Sequence, residues 1–163
     1  MNKNFITNLY FDYLPYFYNE TLSLDELELD KDYRLLAQEI YESKQQLLHR
    51  MQNYHSKKIG QSHLSHELTK LNFLHQEYSA WGGLQTFYKN NKDTFFKKSN
   101  SVDLHGLYSK EVGPILEVIF YLSKDKLHII TGKGNGTVYK TTKNFLEKRK
   151  IKYSLSNNTF ILK

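Results

Sequence analysis

The run Val102–Leu107 contains an acid and an imidazole at a spacing that suits proton transfer. Apolar and polar residues alternate in it, which predicts a β-strand over residues 102–107 with Asp103 and His105 on the same face. Histidine is the usual proton carrier near neutral pH, and a neighbouring carboxylate holds its tautomer. Side chains two residues apart on a strand lie about 6–7 Å from each other, so the two groups need not touch to address one phosphodiester. The structural alternative is that Asp103 caps a turn and His105 bonds to the backbone.

A second segment, Ile130–Gly136, is an apolar strand end followed by a turn with glycines at three alternate positions. Such a turn ahead of a helix directs backbone N–H groups at an anion. The spacing is too short for a nucleoside-triphosphate loop and fits only part of a dinucleotide-binding pattern, so an oligonucleotide phosphate is the favoured ligand. Lys133 adds charge, and Lys140 and Lys143 extend it along the next helix, although Lys143 is better explained as a solvated lysine. The predicted phosphate-binding residues are Thr131, Gly132, Lys133, Gly134 and Lys140.

Six elements are predicted to position both segments within one small α/β sandwich of order β-α-β-α-β-β. A right-handed crossover makes the first two strands parallel, and ligands of such sheets lie beyond the carboxyl ends of the strands. Both segments are therefore expected at the same edge. The crossover helix should begin near Pro114, and Asn157-Asn158 should form a two-residue turn. The predicted ranges are 102–107 and 127–131 for the parallel strands, 112–122 and 137–150 for the helices, and 151–156 and 159–162 for a terminal pair of strands.

Helical periodicity dominates the region before the first strand. One amphipathic helix is predicted from Asp32, its N-cap, to about Lys58, with Gly60 ending it. Two further patterns begin near Ser62 and Leu84, and Gly82-Gly83 either separates them or marks a weak point in one long helix. Two or three helices packed antiparallel are therefore expected.

The first thirty residues are aromatic and then acidic, which predicts an arm that acts as a docking peptide or folds over the rest of the chain in place of an anion. A loosely ordered terminus is the alternative. The net charge of +6 is unevenly distributed, since residues 1–32 hold 2 basic and 7 acidic residues. Residues 33–163 therefore hold 21 basic and 10 acidic residues, a net charge of +11. Such a body attracts polyanions in a salt-dependent way, although a lysine-rich surface explains the charge equally well.

The absence of cysteine excludes disulfides and thiolate zinc sites and fits a cytoplasmic or nuclear protein. The aromatic N-terminus has neither the length of a membrane span nor the apolar core of a signal peptide, so no membrane association is predicted. His63 and His66 lie one turn apart beside Glu67, but without a third ligand they are better explained as a solvated helix face. No metal and no cofactor is expected.

The combination of Val102-Asp103-Leu104-His105-Gly106-Leu107 with Ile130-Thr131-Gly132-Lys133-Gly134 resembles the Smr (small MutS-related) domain, whose members carry a Leu-Asp-Leu-His-Gly run and a Thr-Gly-x-Gly run in this order. The helical region before it resembles the extension that precedes Smr in many eukaryotic proteins. The resemblance divides the chain into an N-terminal arm (1–30), a helical extension (31–98) and an Smr-like domain (100–163). One departure is Tyr139, which stands where an arginine is common in the family.

The resemblance implies a nucleic-acid-binding domain, in many members an endonuclease and in several a ribosome-associated protein that cuts mRNA in translation quality control. It implies that Asp103 and His105 are the catalytic pair and that Gly132, Lys133 and Gly134 position the phosphate. The leading expectation is an RNA endonuclease whose partners are single-stranded RNA and the ribosome. The alternatives are a catalytically weakened RNA- or ribosome-binding module, which Tyr139 favours, and a DNA-nicking enzyme.

Overall fold

The computed structural model describes residues 3–20, 31–53, 58–123, 126–132 and 136–163, with the side chains of residues 3, 4, 53 and 58–62 left aside. Over these residues the chain is mixed α/β, with five α-helices, a short 3₁₀ turn at Phe95–Lys97 and four strands. None of the described helices is both long enough and apolar enough to cross a membrane. The elements are α1 (Lys3–Tyr18), α2 (Tyr33–Asn53), α3 (Lys58–Asn91), β1 (Ser101–Asp103), α4 (Ser109–Leu122), β2 (His128–Ile130), α5 (Thr137–Lys148), β3 (Tyr153–Ser156) and β4 (Thr159–Leu162).

The four strands form one mixed sheet in the order β1-β2-β4-β3. β1 and β2 are parallel, with Asp103 opposite Ile130, whereas β4 is antiparallel to both β2 and β3. The predicted order of elements and the parallel pairing of the first two strands are thus confirmed. The turn between β3 and β4 lies at Asn157-Asn158 as predicted, and Asn157 adopts a φ of +56°, which asparagine tolerates better than most residues.

Strand β1 is shorter than the sequence predicts, because the Leu104 N–H makes the last hydrogen bond to β2, on the Ile130 carbonyl, and the chain then turns. The Asp103 carboxylate accepts a hydrogen bond from the His105 N–H, and Leu107 N–H then closes a turn onto the Leu104 carbonyl. Gly106 has a φ of +83° in this turn, a conformation that glycine adopts without steric cost. The predicted strand over 102–107 is therefore wrong beyond Asp103, and His105 lies on a turn.

Helix α4 begins at Ser109, so the prediction that it starts near Pro114 is wrong. A proline inside a helix removes the hydrogen bond to the carbonyl four residues earlier, which here belongs to Lys110. Lys110 is exposed, so water can satisfy that carbonyl.

Strand β3 begins two residues later than predicted, since the Ile151 N–H donates to the Leu146 carbonyl at the end of α5.

The described part of the N-terminal arm is helix α1, and the alternative of a loosely ordered terminus is wrong for residues 3–20. α1 packs against α4 and against the 3₁₀ turn. The Phe17 ring lies 5.0 Å from Tyr88 and 6.0 Å from Phe96, both edge to face. Residues 21–30, which carry most of the acidic charge of the arm, lie outside the described residues, so their docking role stays a prediction. The buried side chains of α1 are Ile6, Leu9, Tyr10, Leu14 and Phe17.

Contacts group the chain into two compact units, one over Lys31–Gly82 and one that combines Asn2–Asp30 with Gly83–Lys163. In the first unit α2 and α3 run antiparallel as predicted, because Tyr33 stacks near Trp81 while Tyr41 meets His75. α3 contains Gly60 and Gly82-Gly83, so the predicted break at Gly60 is wrong and the single long helix is the correct alternative for residues 62–91. The grouping places α1 and the last turns of α3 with the sheet, and the division into segments 1–30, 31–98 and 100–163 stays a prediction.

Replacing Gly83 by alanine is expected to lower the free energy of unfolding by about 1–3 kcal/mol, the usual cost of overpacking. A Cβ at this position would lie 2.5 Å from the Tyr10 hydroxyl and 2.7 Å from Cδ of Glu111, and both side chains are fully buried. Urea denaturation measures the change. Gly113→Ala is the matched control in α4, because its Cβ would meet only the Phe145 ring at 3.8 Å. Equal stability of the two variants would contradict the packing described for Gly83.

Candidate active site

The two residues predicted to do chemistry are in direct contact. His105 Nδ1 lies 2.8 Å from Asp103 Oδ1, and the same oxygen accepts the His105 backbone N–H at 3.0 Å. The sequence predicts side chains on one face that need not touch, and the turn after Asp103 brings the imidazole onto the carboxylate. The structural alternative is thus partly correct as well, since Asp103 does cap a turn, and the cap forms the pair.

The contact leaves one ring nitrogen of His105 for chemistry. A carboxylate only accepts, so Nδ1 carries the donated hydrogen and Nε2 is left as the second functional atom. The His105 side chain is 57% exposed and the Asp103 side chain 26% exposed. The imidazole therefore presents Nε2 to a ligand from outside, while the carboxylate stays behind it.

A buried asparagine that the sequence analysis did not single out as functional holds the backbone of Asp103. Asn91, at the end of α3, accepts the Asp103 N–H at 2.8 Å and donates to the Asp103 carbonyl at 2.8 Å. Its amide also donates to the Phe87 carbonyl at 2.9 Å, and the residue is fully buried. Since β1 is an edge strand, the Asn91 amide occupies the place of a neighbouring strand and completes the hydrogen bonding of Asp103.

The turn that carries His105 is fixed at both ends. The Asn90 side chain donates to the His105 carbonyl at 2.9 Å. At the start of α4, Glu111 Oε1 accepts the Tyr108 N–H at 2.8 Å while the Glu111 N–H donates to the Tyr108 carbonyl at 2.9 Å. This reciprocal pair is a capping arrangement.

The sequence does contain a signal for Asn91. Asn91 is the polar member of an otherwise apolar helical stripe in the last part of α3, as expected of a side chain that forms hydrogen bonds inside a core.

The glycine turn begins beside His105. Gly132 has a φ of +82°, and a Cβ there would lie 3.5 Å from Cβ of His105. Thr131 is buried, and both its N–H and its hydroxyl donate to the Asn158 carbonyl, at 3.1 and 3.0 Å. The structure thus brings Gly132 to the histidine and uses Thr131 to tie the turn to the β3–β4 connection. Lys133 and Gly134 lie outside the described residues, so their phosphate contacts stay predictions.

The start of helix α5 carries the last predicted phosphate ligand. Lys140 is exposed in the first turns of α5, and the contacts of the described residues do not join it to His105. Tyr139, in the first turn of α5, packs its ring 5.2 Å from Phe160 of β4. Phosphate binding by Lys140 and Thr131 therefore remains a prediction, and Tyr139 is part of the packing over the sheet.

Metal ligands are not clustered in the described part of the chain, where no group of three or more histidine and carboxylate side chains is placed to hold an ion. His63 Nε2 lies 3.4 Å from Glu67 on an exposed face of α3, and the described residues offer this pair no third ligand. The pair matches the solvated helix face that the sequence predicts.

Fold and site together define an α/β unit with an exposed histidine–carboxylate pair beside a glycine turn, an arrangement suited to proton transfer at a bound anion. The chain is 33% identical over 116 residues to the protein named Endonuclease NBR9 of Saccharomyces cerevisiae (strain ATCC 204508 / S288c), an alignment that covers 64% of this chain and 46% of that protein. The chain therefore spans about half the length of that relative. No protein-family model matches the chain. No solved structure matches it significantly. The similarity to a protein named an endonuclease gives weak support for a nuclease function.

Proposed function

We propose that this chain is an endoribonuclease of the Smr type, with His105 and Asp103 as its catalytic pair. The observation that carries the proposal is the 2.8 Å contact between an exposed imidazole and a carboxylate next to the positive-φ Gly132. The likeness to a protein named an endonuclease supports it independently. The proposed substrates are single-stranded RNA and mRNA on ribosomes, which places the activity in the cytoplasm.

In the proposed mechanism His105 transfers a proton through Nε2 as general acid or base. RNA carries its own nucleophile, because the 2′-hydroxyl lies next to the scissile phosphate. The Asp103 carboxylate holds the hydrogen on Nδ1, which keeps the imidazole oriented and stabilises positive charge on the ring during proton transfer. The glycine turn contributes backbone N–H groups to the charge that builds up on the phosphate, and Lys133 adds its ammonium group.

Purified full-length protein is expected to cut a fluorescent single-stranded RNA and to do so in the presence of EDTA. The matched substrate has the same sequence with 2′-deoxyribose throughout, and it should stay intact because it lacks the attacking hydroxyl. Gel analysis of the products measures both reactions, and a parallel reaction tests mRNA on stalled ribosomes. Cleavage of the DNA with the RNA left intact would favour the DNA-nicking alternative and overturn the proposal.

The packing of Tyr139 favours a second candidate, a binding module with weakened catalysis. Its ring lies against Phe160, so it does not provide the bidentate grip that a guanidinium gives a phosphate. The adjacent Lys140 offers one point charge from an exposed position. Salt-sensitive RNA binding without cleavage, on free RNA and on ribosomes alike, would support this second candidate against the first.

A further inference from the structure

Positive charge is concentrated in the last part of the chain. Residues 126–163 hold 9 basic residues and a single acidic one, Glu147. Three of the basic residues, Lys133, Lys140 and Lys143, follow β2 in the glycine turn and along α5. The other six lie at or near the ends of the strands opposite to the ends where His105 lies. These opposite strand ends are called the far edge of the sheet below. The positive charge of residues 126–163 therefore lies in two places, and the proposed catalytic site includes only the lysines that follow β2 in the glycine turn and along α5.

Neighbouring strand ends bring lysines together at that opposite edge. The Lys163 N–H donates to the Lys152 carbonyl at 3.1 Å, and the Leu162 N–H donates to the Leu127 carbonyl at 2.9 Å. Lys152, Lys163 and Lys126 therefore stand at the adjoining ends of β3, β4 and β2. Helix α5 ends at the same edge, because it leads into β3, which runs parallel to β2. The far-edge lysines, all exposed, are Lys126, Lys148, Lys150, Lys152 and Lys163.

Two carboxylates of the described residues lie near this edge, and both have hydrogen-bond partners. Glu147 accepts the Tyr153 hydroxyl at 3.0 Å, and Glu117 of α4 pairs with Arg149 at 2.8 Å. Burial, followed by the hydrogen bond to Glu147, raises the pKa of Tyr153, so this phenol stays a donor at neutral pH. Since Glu117 is paired with Arg149, the five far-edge lysines face one carboxylate among these two, that of Glu147, and keep an excess of positive charge.

Lys150 occupies a position where a glycine is the usual residue. Helix α5 ends in a Schellman motif, with the Ile151 N–H donating to the Leu146 carbonyl and the Lys150 N–H to the Glu147 carbonyl. Lys150 thereby takes a φ of +56°, which costs an L-residue about 1 kcal/mol or more relative to glycine. A long cation thus stands in a conformation that disfavours it, between Lys148 and Lys152 in the sequence.

Helix α5 connects this edge with the catalytic one. Its 12 residues span about 18 Å, and they begin directly after Gly136 of the glycine turn. The exposed side of the helix carries Lys140, Lys143 and Lys148 along this path. We propose that the far-edge lysines form a second phosphate-binding surface, which holds the sugar-phosphate backbone of the same RNA strand whose scissile bond lies at His105. The proposal rests on the proposed function for its RNA ligand.

The test measures binding, so that it does not depend on cleavage. Full-length His105→Ala protein is titrated into a fluorescent 20-nucleotide single-stranded RNA at four salt concentrations, with and without the changes K150Q, K152Q and K163Q together. Three lost phosphate contacts should lower the slope of log K against log salt by about 2 and weaken binding on the order of 10- to 100-fold at 0.1 M salt. The control makes the same charge change in the other unit with K44Q, R50Q and K70Q, and it should leave the slope within about 0.5 of the parent value.

Equal slopes for the two triple variants would overturn the far-edge surface. Loss of binding to anionic phosphatidylserine vesicles with unchanged RNA affinity would overturn it too, by assigning the lysines to a lipid headgroup. The outcome is separable from that of the proposed function. If wild-type protein cuts no RNA while the far-edge variant loses RNA affinity, the nuclease is overturned and the surface stands; if wild-type protein cuts RNA and the slopes are equal, the reverse holds.

Discussion

His105→Ala is expected to lower the rate of RNA cleavage by about 10²- to 10⁴-fold, the range that a positioned general acid or base contributes. The ring is 57% exposed, and its visible hydrogen bond joins it to Asp103. Removing it should therefore change catalysis far more than folding. Single-turnover cleavage of a fluorescent RNA measures the effect, and circular dichroism of the variant checks that the fold is kept.

Two controls separate chemistry from structure in this experiment. His49→Ala removes an exposed histidine from α2 and should leave the rate within about twofold, because surface substitutions away from a site have small effects. Free imidazole at high concentration should restore part of the activity of His105→Ala, since the vacated position is open to solvent. Unchanged cleavage by His105→Ala would contradict the proposed catalytic pair, because other residues would then carry out the reaction.

At Asp103 and His105 the sequence predicts the location of the site but not the contact between the two side chains. Apolar–polar alternation and the β-α-β order place both residues at the edge where Gly132 also lies, and the structure agrees. The 2.8 Å contact is not predictable from strand geometry, because it depends on the chain leaving the strand at Asp103. The Leu104 N–H makes the last bond to β2, on the Ile130 carbonyl, and the next N–H, that of His105, bonds locally to the Asp103 carboxylate, an Asx-type contact that favours a turn.

In the long helix α3, contacts with distant residues decide what local sequence leaves open. Gly82 and Gly83 lower helix propensity, and local preference alone leaves open whether the helix breaks there. At Gly83 the missing side chain makes room for Tyr10 and Glu111, which come from distant parts of the sequence. Tertiary packing therefore decides the question, and the same uninterrupted helix carries Asn91 to the edge of β1. Helical periodicity marks Asn91 as a polar residue in an apolar stripe, but it does not identify the distant partners of Asn91 or Gly83.

Asn91→Leu is expected to cost about 1–3 kcal/mol of unfolding free energy, because it leaves two partly buried backbone groups of Asp103 without their partner. The amide accepts the Asp103 N–H and donates to the Asp103 carbonyl, each at 2.8 Å, and Asn91 itself is fully buried. Leucine has a similar shape but replaces neither bond. Urea denaturation measures the loss, and Asn90→Ala is the matched control, expected to cost less than about 1 kcal/mol since water can reach the His105 carbonyl that it frees.

The same substitution tests whether Asn91 positions the catalytic carboxylate. At a temperature where Asn91→Leu is fully folded, kcat should still fall by about 10²-fold, because a shift of the Asp103 backbone by about 1 Å displaces the carboxylate from His105. KM should change little, since the amide is buried behind the strand and does not face the ligand. A folded variant with the parental kcat would show that the carboxylate keeps its place through the turn alone, with Asn91 serving only the stability of the edge strand.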